Sequence, residues 1–417
     1  MSASISTLSA ILKDFYLGPL QEQLNQEVLV YNLFEKATVD WSGRRVIIPV
    51  HVARNSGVAF GPDDGTLPTA GQQEFEPLEV DAKFLYGRFA ITGPAIASAK
   101  SGPNAFITYI EAEMNKLAED VKTRANQAAI FGGACIGYIF EQANQATFAY
   151  SGRVSGLQVG NATDLVDVVR LDTYATSFAN QQVNAISSTS ITLNAAINTA
   201  IAGLPTDVVF ALVAPAASTI VGGVAGGWRN EFAGITTNLA APTHFGVDRT
   251  TATGASALQS IHKKVSTVAA TGYAALSLDR MQAMLDEILL TADASPELIL
   301  MNPVMRQEYT SLLVGTNAAN LFVTTDKAAN GDGGFTGLSY SGIPMKTSKD
   351  MFKGSLFFLA PKQWKLCELE KPGFADLDGA VLSRVANKDV FEGFFRLYAN
   401  CVCLRPNANA VLTGVQF

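Results

Sequence analysis

The stretch from residue 44 to residue 133 constrains this chain most. Two runs within it, residues 44–53 (RRVIIPVHVA) and 78–92 (LEVDAKFLYGRFAIT), read as strands because both are rich in Val, Ile, Phe and Tyr. Between them lie about 24 residues dominated by Gly, Pro, Asp, Thr and Gln. So long a connection inside a compact domain is usually functional or disordered. It is either a surface loop without fixed order, or an extended hairpin arm that gains its order by lying on another subunit. Directly after it comes the pattern of a long amphipathic helix, about residues 103–131. Asn104 or Ser101 offers an N-cap, and Pro103 suits a first turn that needs no N–H. Ile107, Ile110, Met114, Leu117 and Val121 recur at spacings of three and four, which places them on one face. Glu111, Glu113, Lys116, Glu119, Asp120 and Lys122 lie off that stripe, and Gly132-Gly133 ends the run. Such a helix is about 40 Å long and crosses a domain.

Length and composition narrow the class. The chain of 417 residues has room for two or three domain-sized units, and its apolar content of 48% is ordinary. Its charged content of 16% falls well below the usual ~25%. Burial of much surface against partners explains so little charge, since interface cores are depleted in it; a lineage bias toward small residues explains it equally. A net charge of −7, with Arg44-Arg45 and Lys263-Lys264 the only adjacent basic pairs, argues against a sequence-reading nucleic-acid binder. The beginning, MSASISTLSAIL, has neither a basic nor a sustained apolar region, so no signal peptide is expected. The most apolar run, residues 208–217, holds Pro215 and is too short for a membrane span.

Motifs for chemistry are sparse. His51, His244 and His262 have no metal-ligand spacing, and Cys135, Cys367, Cys401 and Cys403 are too few for a disulfide framework. Cys401 and Cys403 alternate in a strand-like run and so share a face, as buried small hydrophobes. The glycine pairs at 222–223 and 226–227 lack a phosphate-binding pattern, and no G-x-S-x-G elbow occurs. Asp63-Asp64-Gly65, between Pro62 and Pro68, reads as a solvated turn. No catalytic, cofactor or metal site is expected, and the chain is not expected to be an enzyme.

The remaining elements set the class as α+β. A short helix is expected from about residue 19 to 25, and another over 196–204. Residues 188–195 read as a strand, and 207–214 as a strand buried on both faces. Residues 279–290 form an amphipathic helix with Met281, Met284, Leu285, Ile288 and Leu289 on one stripe. A buried strand follows at 297–301, and Asn302-Pro303 opens another helix. Residues 317–337 are polar and Gly-rich, the composition of a loop, and the last third is rich in strands.

An N-terminal arm, an extended β-hairpin loop and a long helix, in that order, resemble the major capsid proteins of tailed bacteriophages with the HK97-like fold. The segment TADASPELILMNPVMRQEYTSLL resembles the axial domain of that family. DGAVLSRVANKDVFEGFFRLYANCVCLRPNANAVL resembles the closing strands of its peripheral domain. The resemblance implies an N-terminal arm over 1–43, an extended loop (E-loop) over 44–93, and a first peripheral segment over 94–156 carrying the spine helix. An axial domain over 157–345 and peripheral closing strands over 346–417 would complete it. It implies pentamers and hexamers of the chain itself, tiling an icosahedral shell around double-stranded DNA held without sequence-specific contacts. A scaffolding protein from another chain, a portal and decoration proteins are the implied partners, with no membrane. The place would be the virion capsid, assembled in the bacterial host cytoplasm. Inter-subunit contacts would fall to Phe15 and Tyr16 in the arm, to Phe60, Asp63, Asp64 and Leu67 in the loop, and to Lys83 and Arg88 in the following strand. Some relatives join a loop lysine to a neighbour's asparagine; this tip has no lysine, so that chemistry is not carried over. The alternatives are an encapsulin-like nanocompartment shell, with the same fold around cargo enzymes, and a soluble α+β enzyme with a deep polar pocket.

Overall fold

A computed structural model describes residues 29–36, 41, 43–61, 63, 65–94, 105–131, 135–140, 147–152, 165–170, 176–186, 190–194, 210–213, 231–240, 243–249, 255–265, 274–315, 338–375, 383–385 and 387–415. The expected helices at 19–25 and 196–204, the cap residues 101–104, the glycine pairs and the loop 317–337 lie outside these residues.

The long helix, α1, spans Ala105–Phe131. Val121, Ala125, Ala128, Ala129 and Ile130 on it are buried, while Glu113, Asp120 and Lys122 face solvent. It lies on the strand Lys83–Thr92, and the approach is close at Gly87. A Cβ there would sit 2.7 Å from Val121 Cγ2 and 3.0 Å from Leu117 Cδ1.

The hairpin differs from its sequence expectation in one respect. The return run is two strands: Glu74–Asp81 pairs antiparallel with Arg45–Ala53, while Lys83–Thr92 pairs with Val390–Cys403. The buried phase slips by one residue at the break, from Leu78 and Val80 to Phe89 and Ile91. A strand's side chains alternate with period two, so that slip turns the chain's inward face from one partner to another. Asn400 holds the junction, its Nδ2 donating to Asp81 O at 2.7 Å.

Three larger sheets follow. In a five-stranded sheet, Glu35–Lys36 runs parallel to Trp364–Phe374, which pairs with Val390–Cys403, itself flanked by Lys83–Thr92 and Ser383–Arg384. A six-stranded sheet has the order Ile261–Lys264, Ala410–Thr413, Ser355–Leu359, Leu298–Met301, Ile343–Thr347, Leu338–Tyr340. The third closes into a barrel of Cys135–Phe140, Thr147–Gly152, Ser190–Leu193, Thr176–Ile186, Leu165–Arg170 and Phe210–Val213. Val166, Val168, Val183, Ile191 and Leu193 of the barrel are buried. The barrel straddles the expected boundary at 156/157, and the six-stranded sheet straddles the one at 345/346. In both cases strand pairing joins residues that sequence order sets apart.

The core lies between the sheets. One face of the six-stranded sheet (Leu300, Phe357, Leu359, Val411) packs with α1, with the helix α2 (Ile235–Ala240), and with Trp364, Leu366, Leu397, Cys401 and Cys403. The short helix α3 covers Ala255–Leu258. The other face (Ile299, Met301, Leu356, Phe358, Ala410, Leu412) lies under α4, Leu278–Ala292, and α5, Pro303–Gly315. The run LILM is therefore buried on both faces, as its unbroken apolarity requires. Asn302 Oδ1 accepts from Val304 N at 3.0 Å and starts α5. On α4, Met281, Met284, Ile288 and Ala292 are buried. Leu289, expected on that stripe, is 57% exposed, because it lies one residue and about 100° beyond Ile288.

Candidate assembly surface

The hairpin forms a two-stranded ribbon that, among the described residues, is not attached to the other sheets by strand pairing. Its root has a core: Leu78 and Val80 are fully buried with Trp41, Val247, Leu258, Cys367 and Val402. Beyond the root the apolar side chains lose their cover. Val58 is 85% exposed and Leu67 90%, Phe60 is fully exposed, and Phe75 projects from the second strand. Two glycines bring the limbs of the loop together: a Cβ on Gly57 would lie 2.7 Å from Gly71 N, and one on Gly71 would lie 2.8 Å from Gly57 N. Gly57 N also donates to Asn55 Oδ1 at 2.7 Å. The loop is thus narrow where it leaves the strands. Burying one such Val, Leu or Phe stabilises by about 1.5–3 kcal/mol, so several uncovered together mark a surface that gains by being covered.

The ribbon root is anchored by a short hairpin, Thr243–His244 with Val247–Asp248. Glu79 N donates to Phe245 O at 2.9 Å. Next to Phe245, the buried His244 ring bonds Cys403 O through Nε2 at 2.8 Å and Arg249 Nη2 through Nδ1 at 2.6 Å. Since carbonyls only accept, Nε2 carries the proton and Nδ1 accepts from the guanidinium. Arg249 also donates to Leu239 O at 2.8 Å and to Asn238 O, which are carbonyls of the last turn of α2. Burial, then the neighbouring guanidinium, pushes the His244 pKa down to about 3. Burial likewise lowers Arg249 to about 10 and raises the Cys403 thiol to about 12. Such a thiol is protonated and inert.

A second uncovered surface is the face of the five-stranded sheet turned away from α1. Phe84, Tyr86 and Phe394 are exposed there. Tyr398 packs edge-on to Phe84 at 5.0 Å and to Tyr86 at 5.6 Å. Arg88 pairs with Glu392, and Arg396 with Glu370 at 2.9 Å.

Of the residues singled out from sequence, Phe60, Asp63 and Leu67 lie together on the loop and are exposed. Arg88 lies far along the following strand, on the open sheet face. Lys83, five residues before it, points to the other side of the strand and is partly buried, which lowers its pKa by desolvation. Phe15, Tyr16 and Asp64 lie outside the described residues. Sequence reasoning missed Val58, Phe84, Tyr86, Phe394 and Tyr398. Aromatics recur at even positions beyond the phase slip, but Leu85, Phe89 and Ile91 supply an odd apolar phase as well, so the sequence does not say that the even face is the one no helix covers among the described residues.

No protein-family model and no curated protein matches this sequence. Solved structures match it over its full length. The capsid asymmetric unit of cyanophage A-1(L) superposes with TM-score 0.59 at 11% identity, over 99% of each chain. The capsid of a native GTA particle does so with TM-score 0.53 at 10% identity, over 100% of this chain and 99% of that one. The holo-SrpI encapsulin complex from Synechococcus elongatus PCC 7942 gives 0.47 at 10% identity, over 100% and 96%, too weak a likeness to argue from. The chain has the α+β fold of phage capsid chains.

Proposed function

We propose that this chain is the major capsid protein of a tailed phage, many copies of which tile an icosahedral shell around packaged double-stranded DNA. The observation that carries this is the likeness to two capsid chains from end to end in both directions. The loop adds a physical reason, since its apolar side chains have no cover within one subunit. In this reading α1 is the spine helix, α1 and the five-stranded sheet form the peripheral domain, and the six-stranded sheet with α4 and α5 forms the axial domain. Residues 1–43 are the arm, and 44–93 hold the extended loop together with Lys83–Thr92, the strand by which it joins the peripheral sheet. The loop would lie on an adjacent copy, bringing Phe60, Leu67 and Asp63 against it, with Arg88 on the open face near such a contact. Modest contacts repeated around a closed shell sum to a stable one, because each contact already made raises the effective concentration for the next. A separate scaffolding protein, a portal and decoration proteins are the further partners, and assembly takes place in the host cytoplasm.

Electron microscopy with light scattering on the purified chain, alone and co-expressed with its scaffolding protein, tests this. Closed shells, or rings of five and six, are expected, and deleting residues 56–73 leaves folded subunits that close no shell. A chain that stays monomeric under both conditions rules the proposal out.

A further inference from the structure

The six-stranded sheet carries two features that the loop does not use. The first is the end of α4, where Leu289 and Leu290 are 57% and 86% exposed. Asp286, Leu290 and Asp293 follow at spacings of four and three, so a leucine stands between two carboxylates on one face. Asp293 is the left-handed cap of the helix, with φ 47°. The second is a cleft of about 400 Å³ at the start of α5, lined by Pro303, Val304, Arg306, Gln307 and Thr310. Arg306 is exposed in it, and no carboxylate partner for its guanidinium is found among the described residues.

These features sit at opposite ends of the sheet. The strands Leu298–Met301 and Ala410–Thr413 run the same way, since each is antiparallel to Ser355–Leu359 between them. The last turn of α4 is held where both begin: Arg405 donates to Ala292 O, and Glu297 N donates to Leu359 O at 2.9 Å. α5 starts at the far end, directly after Met301. One body thus has an apolar knob ringed by acids at one end and an open cleft with a cation at the other.

The geometry points to a head-to-tail contact between copies, in which the Leu289–Leu290 end of α4 seats in the α5 cleft of the next copy, with Asp286 and Asp293 facing its Arg306. This rests on the capsid reading and adds which surface of the subunit builds the ring. Different, complementary patches on one body make a heterologous interface, which generates rings when the rotation closes. The leucines supply apolar burial, and the exposed charges fix orientation and partner choice.

The test uses the full chain, with scaffolding protein if wild type needs it, and reads ring and shell yield by electron microscopy and light scattering. Leu290→Lys and Arg306→Glu are each expected to lower that yield roughly tenfold or more. Circular dichroism and the urea midpoint should not move, because both side chains are exposed. Combining Arg306→Glu with Asp286→Arg is expected to restore rings. Deletion of residues 56–73, run in parallel, should leave rings but no closed shells. Wild-type yields in both single variants overturn this contact and leave the capsid reading standing. Loss in both without recovery in the swapped chain overturns the pairing of Asp286 with Arg306. Absence of any assembly by the wild-type chain brings down the capsid reading itself.

Discussion

Leu78 and Phe60 belong to the same ribbon and live in opposite surroundings. Leu78 is fully buried at the root, beneath Val247, Leu258 and Val402, whereas Phe60 stands fully exposed toward the tip. Both are large apolar side chains on one continuous hairpin, so intrinsic preference does not separate them. What differs is whether another element lies beneath. The root contributes its burial to the stability of the subunit. The tip contributes no such burial within the subunit; in the proposed shell its free energy would appear only when a second copy arrives.

Substitutions separate the two roles. Leu78→Ala leaves a cavity at the root and should cost about 2–5 kcal/mol in urea unfolding. Phe60→Ala should move the same midpoint by less than about 0.5 kcal/mol, yet sharply lower the yield of shells. Equal stability losses in the two variants would erase the distinction between root and tip. Arg249→Met removes the donor shared by Asn238 O, Leu239 O and His244 Nδ1, beneath the hairpin that anchors the root. Unmaking buried hydrogen bonds of this kind should cost about 1–3 kcal/mol, again by urea unfolding. The tip should be indifferent to it.

His244 gives the root a pH dependence. The unfolded chain takes up a proton on this ring below about 6.5, while the native ring resists one down to about 3. Between those values the unfolded state binds more protons, so stability is fully present above about pH 6.5 and falls as the pH drops toward 3. The loss should amount to a few kcal/mol at most. His244→Gln should flatten that part of a urea-midpoint profile against pH, and an unchanged slope would remove His244 as its cause. Among the substitutions at packed positions, the smallest effect is expected at Gly87. Gly87→Ala presses a methyl group on Val121 and Leu117, and a cost of about 1 kcal/mol should appear in thermal unfolding.

Much of this was legible from sequence where one period ruled a long run. α1 and α4 follow the spacing of their apolar residues, α5 starts at the Asn302-Pro303 cap, and LILM announced a buried strand. The slip at Ala82 was harder, since Phe84 and Tyr86 continue the even apolar phase while Leu85, Phe89 and Ile91 supply the odd one. Both faces then look apolar, and the elements packed around the strand, α1 at Gly87 and the partner strand Val390–Cys403 some 300 residues away, together decide which is inside. The barrel was hidden for the same reason, because closure depends on pairing between distant short strands. Of the candidate surface, the exposure of Phe60, Asp63 and Leu67 could be read from a long loop rich in Gly and Pro. The open sheet face and the exposed end of α4 could not, because each depends on which neighbours the fold leaves out.

The central claim is that the tip of the ribbon is covered by another copy. Hydroxyl-radical footprinting of subunits and of assembled shells, read by mass spectrometry at Phe60 and Leu67, tests it directly. Both side chains should be strongly modified in the free subunit and protected in the shell, while the buried Phe357 stays protected in each. Equal modification of Phe60 and Leu67 in subunits and shells would show that the tip remains bare after assembly, and would contradict the account.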